Sequence, residues 1–444
     1  MIQVVSSAWA LLLGMCLLMV GNGMQGTLLG IRGGIEGFST FQMSIVMSAY
    51  FVGFLGGSRM APGMIRRVGH VRVFAALASL ISAVMIIYPT FPNIIVWSVG
   101  RVLIGFCFSA VYVTAESWLN NAATNENRGQ ALSAYMIVQT LGIVIAQALL
   151  LTADPSGFVL FVIPSVLVSI AVTPILLSIS PTPPFGTTKP MSLRTLMETS
   201  PLGCVGMFLL GGVFSAQFGM AAVYGAEAGL SVAQISLFVA AFFVGSVILQ
   251  YPIGWISDRM DRRSLIVITA LIGGGGSIVG MMLGHIFPIL LATAFVVGGM
   301  SNPLYSLIMA HTNDFLDHED MPAASGGMLF INGLGAVLGP VITGWMMGTA
   351  LGPGGFYLFT AVLFVALAGY ASYRKTQRAA IPVDETGNYV PIYPSATAVA
   401  VEIAQEYIIE TEQEAAEEAA QENAEADKNA SDSDNDVADD IKRD

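Results

Sequence analysis

The sequence predicts an all-α integral membrane protein with twelve transmembrane helices in two pseudo-symmetric six-helix bundles, followed by an acidic C-terminal tail. Hydrophobic residues make up 55% of the chain and charged residues 11%, against about 25% charged residues in ordinary soluble domains. Residues 264–313 and 321–373 contain no Asp, Glu, Lys or Arg. Each stretch has room for two spans of about 20 residues with a neutral turn between them. In addition, a basic loop recurs after half of the apolar chain.

The sharper copy of this loop spans Gly254–Arg263 and reads GWISDRMDRR, and the weaker copy spans Pro62–Arg72 and reads PGMIRRVGHVR. Aligning Asp258 with Arg66 gives an offset of 258 − 66 = 192, and half of the apolar part, which ends near Arg378, is 189. A loop that recurs at half the length of an apolar chain indicates duplicated membrane halves, which many transporters have. We therefore expect the halves to superpose with a shift close to the offset of the two loops.

Charge, proline and glycine positions predict where the twelve spans lie. The first span has neither a basic region before it nor a small-residue cleavage site, so it is expected to be a retained span rather than a signal peptide. The first half is predicted at 1–183, a cytoplasmic linker at 184–200, the second half at 201–378 and the tail at 379–444. The spans are predicted near 4–30, 40–60, 73–90, 94–118, 129–152, 157–179, 201–224, 231–254, 264–284, 288–310, 323–349 and 353–374.

Lysine and arginine residues fall almost entirely on one side of this topology. The loops that follow even-numbered spans, with the chain after the last span, contain thirteen of them, whereas the opposite loops contain essentially only Arg32. Because basic loops stay in the cytoplasm, both termini are predicted to be cytoplasmic. The thirteen are Arg59, Arg66, Arg67, Arg72, Arg128, Lys189, Arg194, Arg259, Arg262, Arg263, Arg374, Lys375 and Arg378.

The net charge of −12 belongs to the tail. Residues 1–379 carry 15 basic and 12 acidic side chains, a balance of +3, whereas residues 380–444 carry 3 basic and 18 acidic ones, a balance of −15. This distribution excludes nucleic-acid binding through a basic surface. The tail is interpreted as largely disordered and dispensable for transport. The alternative is a short amphipathic or partner-docking helix, because Val399, Ile403, Tyr407 and Ile408 fall at helical spacing.

Nothing in the sequence indicates catalysis, a cofactor or a metal site. The three cysteines, Cys16, Cys107 and Cys204, lie inside predicted spans without metal-ligand spacing, and the four histidines are scattered. The run Gly273–Gly276 lies within a span without a following Lys-Ser/Thr, so close helix packing explains it better than phosphate binding. We therefore expect no cofactor, no metal and no enzymatic activity.

The loop Gly254-x-x-x-Asp258-Arg259-x-Asp261-Arg262-Arg263 resembles the signature between spans eight and nine of the major facilitator superfamily. Arg101-x-x-x-Gly105 resembles the fourth-span arginine signature of that family. Over residues 4–375, further runs resemble its bacterial YcaD-like branch. These runs are Asn22–Leu29, Glu116–Asn120, Arg128–Gln130, Gln250–Gly254 and Gly335–Pro340.

This resemblance implies a secondary transporter in the bacterial inner membrane that moves a small organic solute by alternating access between its halves. No ATPase motif is present, so an ion or solute gradient is expected to supply the energy, with protons as the coupling ion implied by the family. The expected partners are the solute, the proton and the lipid bilayer, without nucleic acid, and the protein is expected to be a monomer. The rival interpretation is a transporter-derived receptor or scaffold that signals through its acidic tail.

Two features depart from the family pattern. Arg66 stands where the family usually has an aspartate in the first-half loop. The fifth span lacks the Gly-Pro pair associated with proton-coupled drug exporters, although Gly339-Pro340 occurs in span eleven. The second departure argues against multidrug antiport.

Polar residues inside the spans are the candidates for the solute cavity, because a polar group in hydrocarbon usually faces a cavity or a partner. Arg101 lies about 10 Å from the outer surface, at 1.5 Å per residue. It is interpreted either as a binding or coupling charge or as a structural arginine that bonds helix-end carbonyls. The predicted cavity set is Asn22, Gln25, Arg101, Gln139, Gln217, Asn302 and Asn332, each of which could instead join two helices.

A second set of residues is predicted to couple or gate transport. Glu116, the one acid inside a predicted span, is interpreted as a proton site or as the partner of a cytoplasmic arginine. In the family the loop aspartate faces a helix N-terminus of the other half, so Asp258 is expected near the start of span five. The signature residues Arg259, Asp261 and Arg262 complete this loop.

Because Arg66 cannot act as that aspartate does, we hypothesise a latch of opposite sign in the state that is open outward. In it, Arg66 and Arg67 pair with Asp317, Glu319 or Asp320, the acids before span eleven. The alternative is ordinary basic charge that faces a solvated acidic loop. Asp320 is also a candidate N-cap for span eleven, which has Pro322 in its first turn.

Overall fold

The structure is a computed structural model that describes residues 2–122, 128–177, 191–317 and 320–377 and, within the tail, residues 382, 389, 391, 392, 397, 399–401 and 403–405. Side chains are described at these positions except 2–7, 121, 122, 128 and 129. The described elements of the two halves are all helices. They are α1 (Ile2–Ile35), α2 (Thr40–Val68), α3 (His70–Thr90), α4 (Ile94–Ala122), α5 (Arg128–Leu149), α6 (Val159–Leu177), α7 (Leu193–Thr199), α8 (Pro201–Ser215), a π-helical turn (Ala216–Met220), α9 (Ala221–Glu227), α10 (Val232–Ser257), α11 (Arg262–Leu283), α12 (Phe287–Asn313), α13 (Met321–Met347) and α14 (Gly354–Gln377).

Within the described ranges, twelve spans are long and apolar enough to cross a membrane, with α8, the π turn and α9 forming one of them. The predicted fold class is therefore confirmed. The largest boundary difference is at α2, which continues to Val68 rather than ending near residue 60. Its last turns contain Arg66 and Arg67, which are exposed. Charge marks the end of the apolar stretch but does not end a helix that continues into water.

The helix starts of the two halves repeat at the offset of the two loops. Ser39 and Gln42 form a capping box at the start of α2, and Ser231 and Gln234 form one at the start of α10. The numbers of the two capping serines differ by 231 − 39 = 192. In such a box each partner satisfies a backbone N–H that the helix leaves free. The duplicated loops thus follow helices that begin in the same way.

Close helix contacts repeat with nearly the same shift. A Cβ at Gly53 would lie 1.9 Å from the carbonyl oxygen of Val102, and a Cβ at Gly245 would lie 2.0 Å from that of Phe295. The numbers of the two glycines differ by 245 − 53 = 192, and those of their partners by 295 − 102 = 193. Only glycine allows the backbones of α2 and α4, and of α10 and α12, to approach this closely. Each half is therefore held by the same small-residue seam.

The two halves touch along α2 and α13, where Arg59 lies 4.3 Å from the ring centroid of Phe330, and they pack closely at one end of the bundle. We call the end with the loops α2–α3 and α10–α11 the basic face and the other end the opposite face. At the opposite face, Thr40 Oγ1 donates a hydrogen bond of 3.0 Å to Glu227 Oε2, which joins α2 to α9. A Cβ at Gly30 would lie 2.7 Å from the Cβ of Ala222, so α1 and α9 also pack closely. The opposite face is closed.

Part of the tail packs against the basic face, which corrects the expectation of a solvated tail for these residues. The physical reason is local composition, because apolar and small residues interrupt the acidic sequence there and can be buried. Most of the acidic tail lies outside the described residues. The buried tail residues are Ile392, Thr397, Ala400, Val401, Ile403, Ala404 and Gln405.

Candidate functional site

A cavity lies between the two halves. The first half supplies most of the polar residues that line it, and both halves supply apolar ones, which include Phe214, Phe218, Val239 and Phe243 of the second half. The polar residues are Asn22, Gln25, Thr27, Tyr50, Arg101, Tyr112, Gln139, Thr140 and Gln147 from the first half, with Asn302 from the second.

Arg101 in α4 is the charged residue of this wall and is only 3% exposed. Its Nη1 donates to Gln25 Oε1 at 2.6 Å, and its guanidinium lies 4.8 Å from the ring centroid of Tyr50. Nη2 contacts Met47 Sδ at 3.5 Å, whereas Nε has no hydrogen-bond partner among the described residues. No described carboxylate pairs with this cation. The cavity wall therefore holds a positive charge with donor capacity left over.

Two neighbouring side chains fix the orientation of the Gln25 amide. Gln25 Nε2 donates to Asn22 Oδ1 at 3.3 Å, and Asn22 Nδ2 donates to the Tyr112 hydroxyl at 2.9 Å. With the amide nitrogen committed to Asn22, its oxygen faces Arg101. The result is a continuous polar network from α4 to α1 and back to α4.

The facing wall is aromatic. The rings of Phe214 and Phe218 lie 4.2 Å apart between centroids, and Phe218 meets Phe243 edge-on at 4.8 Å. Phe218 belongs to the π-helical turn Ala216–Met220, which shifts the side-chain register within this span. Such turns are frequent at functional sites. The cavity can therefore hold a solute with an apolar or aromatic body and an acceptor group at one end.

The structure brings five of the seven predicted cavity residues together: Asn22, Gln25, Arg101, Gln139 and Asn302 line the cavity. Gln217 and Asn332 do not line it. Gln217 Oε1 accepts a hydrogen bond of 3.1 Å from Ser301 Oγ. Asn332 Nδ2 donates to the carbonyl oxygen of Met207 at 3.0 Å and so joins α13 to α8. The structure shows where these side chains lie, and solute binding by the five residues that line the cavity stays a prediction.

The signature loop between α10 and α11 is built around Asp261, the N-cap of α11. Asp261 Oδ2 accepts from the backbone N–H of Ser264 at 3.2 Å and from Ser264 Oγ at 2.7 Å, and Arg263 Nε lies 3.4 Å from Oδ1. Burial acts to raise the pKa of Asp261, but the bonds from Ser264 and the charge of Arg263 outweigh it, so this pKa lies below its ordinary value. The carboxylate therefore caps the helix in its charged form.

The other signature residues have separate contacts. Arg262 forms a buried ion pair with Asp314 at the end of α12. Arg259 lies over the Trp255 ring, 4.2 Å from its centroid. Asp258 Oδ1 accepts the backbone N–H of Tyr389, a tail residue, at 2.9 Å. The predicted contact of Asp258 with the start of α5 stays a prediction.

Glu116 lies in α4 between the cavity and the basic face and is 1% exposed. It accepts a hydrogen bond of 3.2 Å from the Tyr135 hydroxyl and one of 3.2 Å from the backbone N–H of Thr397. The Thr397 hydroxyl donates to the same carboxylate. Within the described part of the chain, its partners are therefore hydroxyl and amide donors rather than the arginine that was the alternative expectation.

The residues of the hypothesised latch lie at the basic face. Arg66 and Arg67 are exposed in the last turn of α2. Asp320 occupies the N-cap position of α13, but its side chain makes no capping hydrogen bond. Asp317 is exposed, and Glu319 lies outside the described residues. The latch belongs to a state closed at the basic face, whereas this structure is closed at the opposite face.

Comparison with known proteins agrees with this geometry. The sequence model of the Major Facilitator Superfamily matches residues 11–202 and again residues 202–394. The uncharacterised MFS-type transporter YcaD of Salmonella arizonae is 25% identical over 361 residues, which is 80% of this chain and 93% of that protein. The YcaD protein of Escherichia coli O45:K1 is 26% identical over 362 residues, with the same coverage.

Solved structures share the fold at low sequence identity. A mutant of the nucleoside transporter NupG has a TM-score of 0.71 at 13% identity, covering 83% of this chain and 99% of its own. A bacterial homologue of the human lysosomal transporter Spinster, inward-facing and occupied, has a TM-score of 0.68 at 14% identity, covering 86% and 98%. The transporter FucP in its outward conformation has a TM-score of 0.53 at 15% identity, covering 82% and 97%.

Twelve spans in two repeated halves around a central cavity define a multi-pass membrane transporter. The two matches to the family model cover most of the chain, and the chain belongs to the Major Facilitator Superfamily. The similarity to the YcaD proteins agrees with the branch indicated by the sequence runs.

Proposed function

We propose that this protein is a secondary active transporter of a small organic anion with an apolar or aromatic body, working by alternating access in the bacterial inner membrane. Arg101 is the observation that supports this solute class most directly. It is a buried cation with a neutral partner and an unused donor, on a cavity wall opposite three phenylalanines. A carboxylate on the solute would supply the missing acceptor.

The basic face is proposed to be cytoplasmic, because arginine and lysine residues collect in the loops at that face. Both termini would then be cytoplasmic and the structure closed towards the outside. Protons are the proposed coupling ion, and Glu116 is the proposed proton site because it is a buried carboxylate within hydrogen-bond reach of Tyr135. The fold is shared with a fucose:proton symporter, FucP, which supports coupling of this kind.

The solute class is tested by thermal unfolding of the purified full-length protein. We expect aromatic carboxylates to raise the apparent stability, by about 2.7 kcal/mol at a hundredfold excess over Kd. Neutral amides of the same compounds serve as matched controls and should bind more weakly, because they carry no charge for Arg101. Stabilisation by neutral sugars or nucleosides alone would contradict the proposed class.

Transport itself is tested with the best ligand in sealed liposomes. Uptake should accelerate when a pH gradient is imposed and stop when it is collapsed with a protonophore. Uptake that does not depend on the pH gradient would contradict proton coupling but would still support transport of the solute. Saturable binding without any flux would instead favour the receptor interpretation.

The latch is proposed as a gate of the state closed at the basic face. Reversing Arg66 and Arg67 to glutamate should shift the protein towards opening at that face, and adding Asp317→Arg with Asp320→Arg should restore the balance. Exposed pairs contribute only about 0–1 kcal/mol each, so we expect a severalfold shift in population. The measurement is the distance between spin labels on the two halves. If the second reversal restores nothing, these charges form no latch.

A further inference from the structure

The described tail residues from Tyr389 to Gln405 include several that bind the second half at the basic face through their backbone and side chains. The backbone N–H of Ile392 donates to Ser306 Oγ at 2.9 Å, and that hydroxyl donates to the carbonyl oxygen of Ile392 at 3.0 Å. Gln250 Nε2 donates to the Tyr389 hydroxyl at 3.0 Å. The backbone N–H and C=O of Ile392 thus both have hydrogen-bond partners at a buried position.

Other described residues of the tail bind the first half. Glu116 in α4 receives the N–H and the hydroxyl of Thr397, as described above. Glu116, Leu132 and Tyr135 line a small pocket together with the tail residues Pro391, Ile392 and Ala400. A single segment therefore contacts both halves, at the face where they would have to meet for the transporter to close.

The end of this segment is anchored as well. Val401 N–H bonds to the carbonyl oxygen of Thr397 at 3.2 Å, which starts a helical turn. Val401 and Ala404 are fully buried. Gln405 Nε2 contacts Ser325 Oγ at 2.8 Å and Asn313 Oδ1 at 3.2 Å, at the ends of α13 and α12. Buried apolar side chains and directed hydrogen bonds together make this a specific binding surface.

The segment lies on the route from the cavity to the basic face. Gln139 lines the central cavity, and it also lines the pocket formed by Glu116, Tyr135 and the tail. A solute leaving the cavity past Gln139 would therefore meet Pro391, Ile392 and Ala400. The backbone N–H of the tail residue Tyr389 also donates to Asp258. This signature carboxylate is expected to bind the other half when the basic face closes.

We propose that the mouth of the cavity at the basic face is a binding site for the chain's own C-terminal segment, and that the bound segment blocks the solute path and keeps the two halves from closing there. The occupant is identified by its chemistry: it is a short apolar stretch with Thr397 and Gln405 as polar anchors, within a tail of net charge −15. The block depends on the proposed transport, but the docking does not.

Docking is tested in the full-length protein by cysteine labelling in detergent, after the three native cysteines are replaced by alanine. A cysteine at Val401 should react with a polar maleimide at least tenfold more slowly than one at Thr376, which is exposed at the end of α14. Ala404→Cys is a second reporter in case Val401→Cys disturbs packing. Equal labelling rates at these reporters and at Thr376 would show that the segment is not bound.

Release is tested by Thr397→Asp, which places a second carboxylate against Glu116 and removes a donor. This variant should raise the labelling rate at Val401→Cys towards that of the exposed site. Thr376→Asp is the matched control and should leave Val401→Cys protected, because the hydrogen bonds of Thr376 to described residues stay within its own helix. Protection that survives Thr397→Asp would mean that the Glu116 contact is not part of the site.

The effect on the halves is tested at Ser44, which is buried at the opposite face against Gly344. Releasing the segment should let the basic face close and the opposite face open, so Ser44→Cys should become reactive in the Thr397→Asp protein and stay protected in the Thr376→Asp protein. If Val401→Cys becomes reactive while Ser44→Cys stays protected, the segment docks without controlling the conformation. Neither readout needs a solute, so failure of the solute screen leaves this proposal standing.

Discussion

Replacing Arg101 with alanine is expected to weaken solute binding by about 10- to 100-fold and to abolish measurable uptake at low solute concentration. Hydrogen bonds to charged groups contribute about 1.5–3 kcal/mol, and each 1.4 kcal/mol corresponds to a factor of ten in affinity. The substitution removes the cation of the cavity wall and the donor to Gln25. The measurement is the dissociation constant of the best ligand from the thermal screen, followed by its initial uptake rate.

Two further variants separate a binding role from a structural one. Arg101→Lys keeps the charge but not the planar fork, so it should fold and bind with intermediate affinity. Arg194→Ala is the control, because Arg194 lies on the surface with its side chain 90% exposed and pairs with Glu198. Normal transport by Arg101→Lys and Arg101→Ala would refute the binding role. Misfolding of both, with Arg194→Ala intact, would favour the structural interpretation.

The fold could be predicted because its determinants are local. Long stretches without charge give the spans, and the repeated loop gives the duplication. Agreement is clearest at the capping boxes of Ser39 and Ser231, which are separated by the same offset as the two loops. Helix ends were less accurate, because the sequence marks where the apolar stretch stops, whereas α2 continues as a helix past its arginines.

The cavity was only partly predictable, because a polar residue inside a span has two physical uses. Arg101 and Gln25 face each other across helices in the cavity wall. Asn332 looks the same in sequence but bonds a backbone carbonyl between α13 and α8. The aromatic wall was missed because Phe214, Phe218 and Phe243 resemble lipid-facing residues. The π-helical turn that helps to place Phe218 has no recognisable signal in the sequence.

The docked part of the tail shows that the average composition of a segment can obscure a short stretch within it that is able to be buried. Helical spacing at Val399 and Ile403 was noticeable, and both belong to the docked segment. The overall composition of the tail nevertheless favoured a solvated chain, because eighteen acidic residues dominate the average. What decides docking is a binding surface contributed by both halves, including Glu116 and Ser306, which the tail sequence alone does not contain.

The Arg262–Asp314 ion pair is expected to be the most sensitive structural contact of the signature loop. The side chains are only 3% and 5% exposed, and they join the first residue of α11 to the end of α12. Removing one partner of a buried ion pair typically costs about 3–5 kcal/mol. We therefore expect Asp314→Leu and Arg262→Met each to lower the unfolding temperature of the purified protein markedly.

A double variant separates the interaction energy of the ion pair from the cost of losing each residue alone. Replacing both residues, as Arg262→Met with Asp314→Leu, removes both charges and fills the space with apolar atoms, which is often neutral for stability. We expect its unfolding temperature to return close to that of the unmodified protein, giving a coupling energy above the roughly 0.5 kcal/mol seen between independent sites. The matched cycle is Arg194→Ala with Glu198→Ala, an exposed pair that should show almost no coupling. If the Arg262 and Asp314 substitutions are additive, the signature arginine does not act through this aspartate, and the loop is held by the Asp261 cap instead.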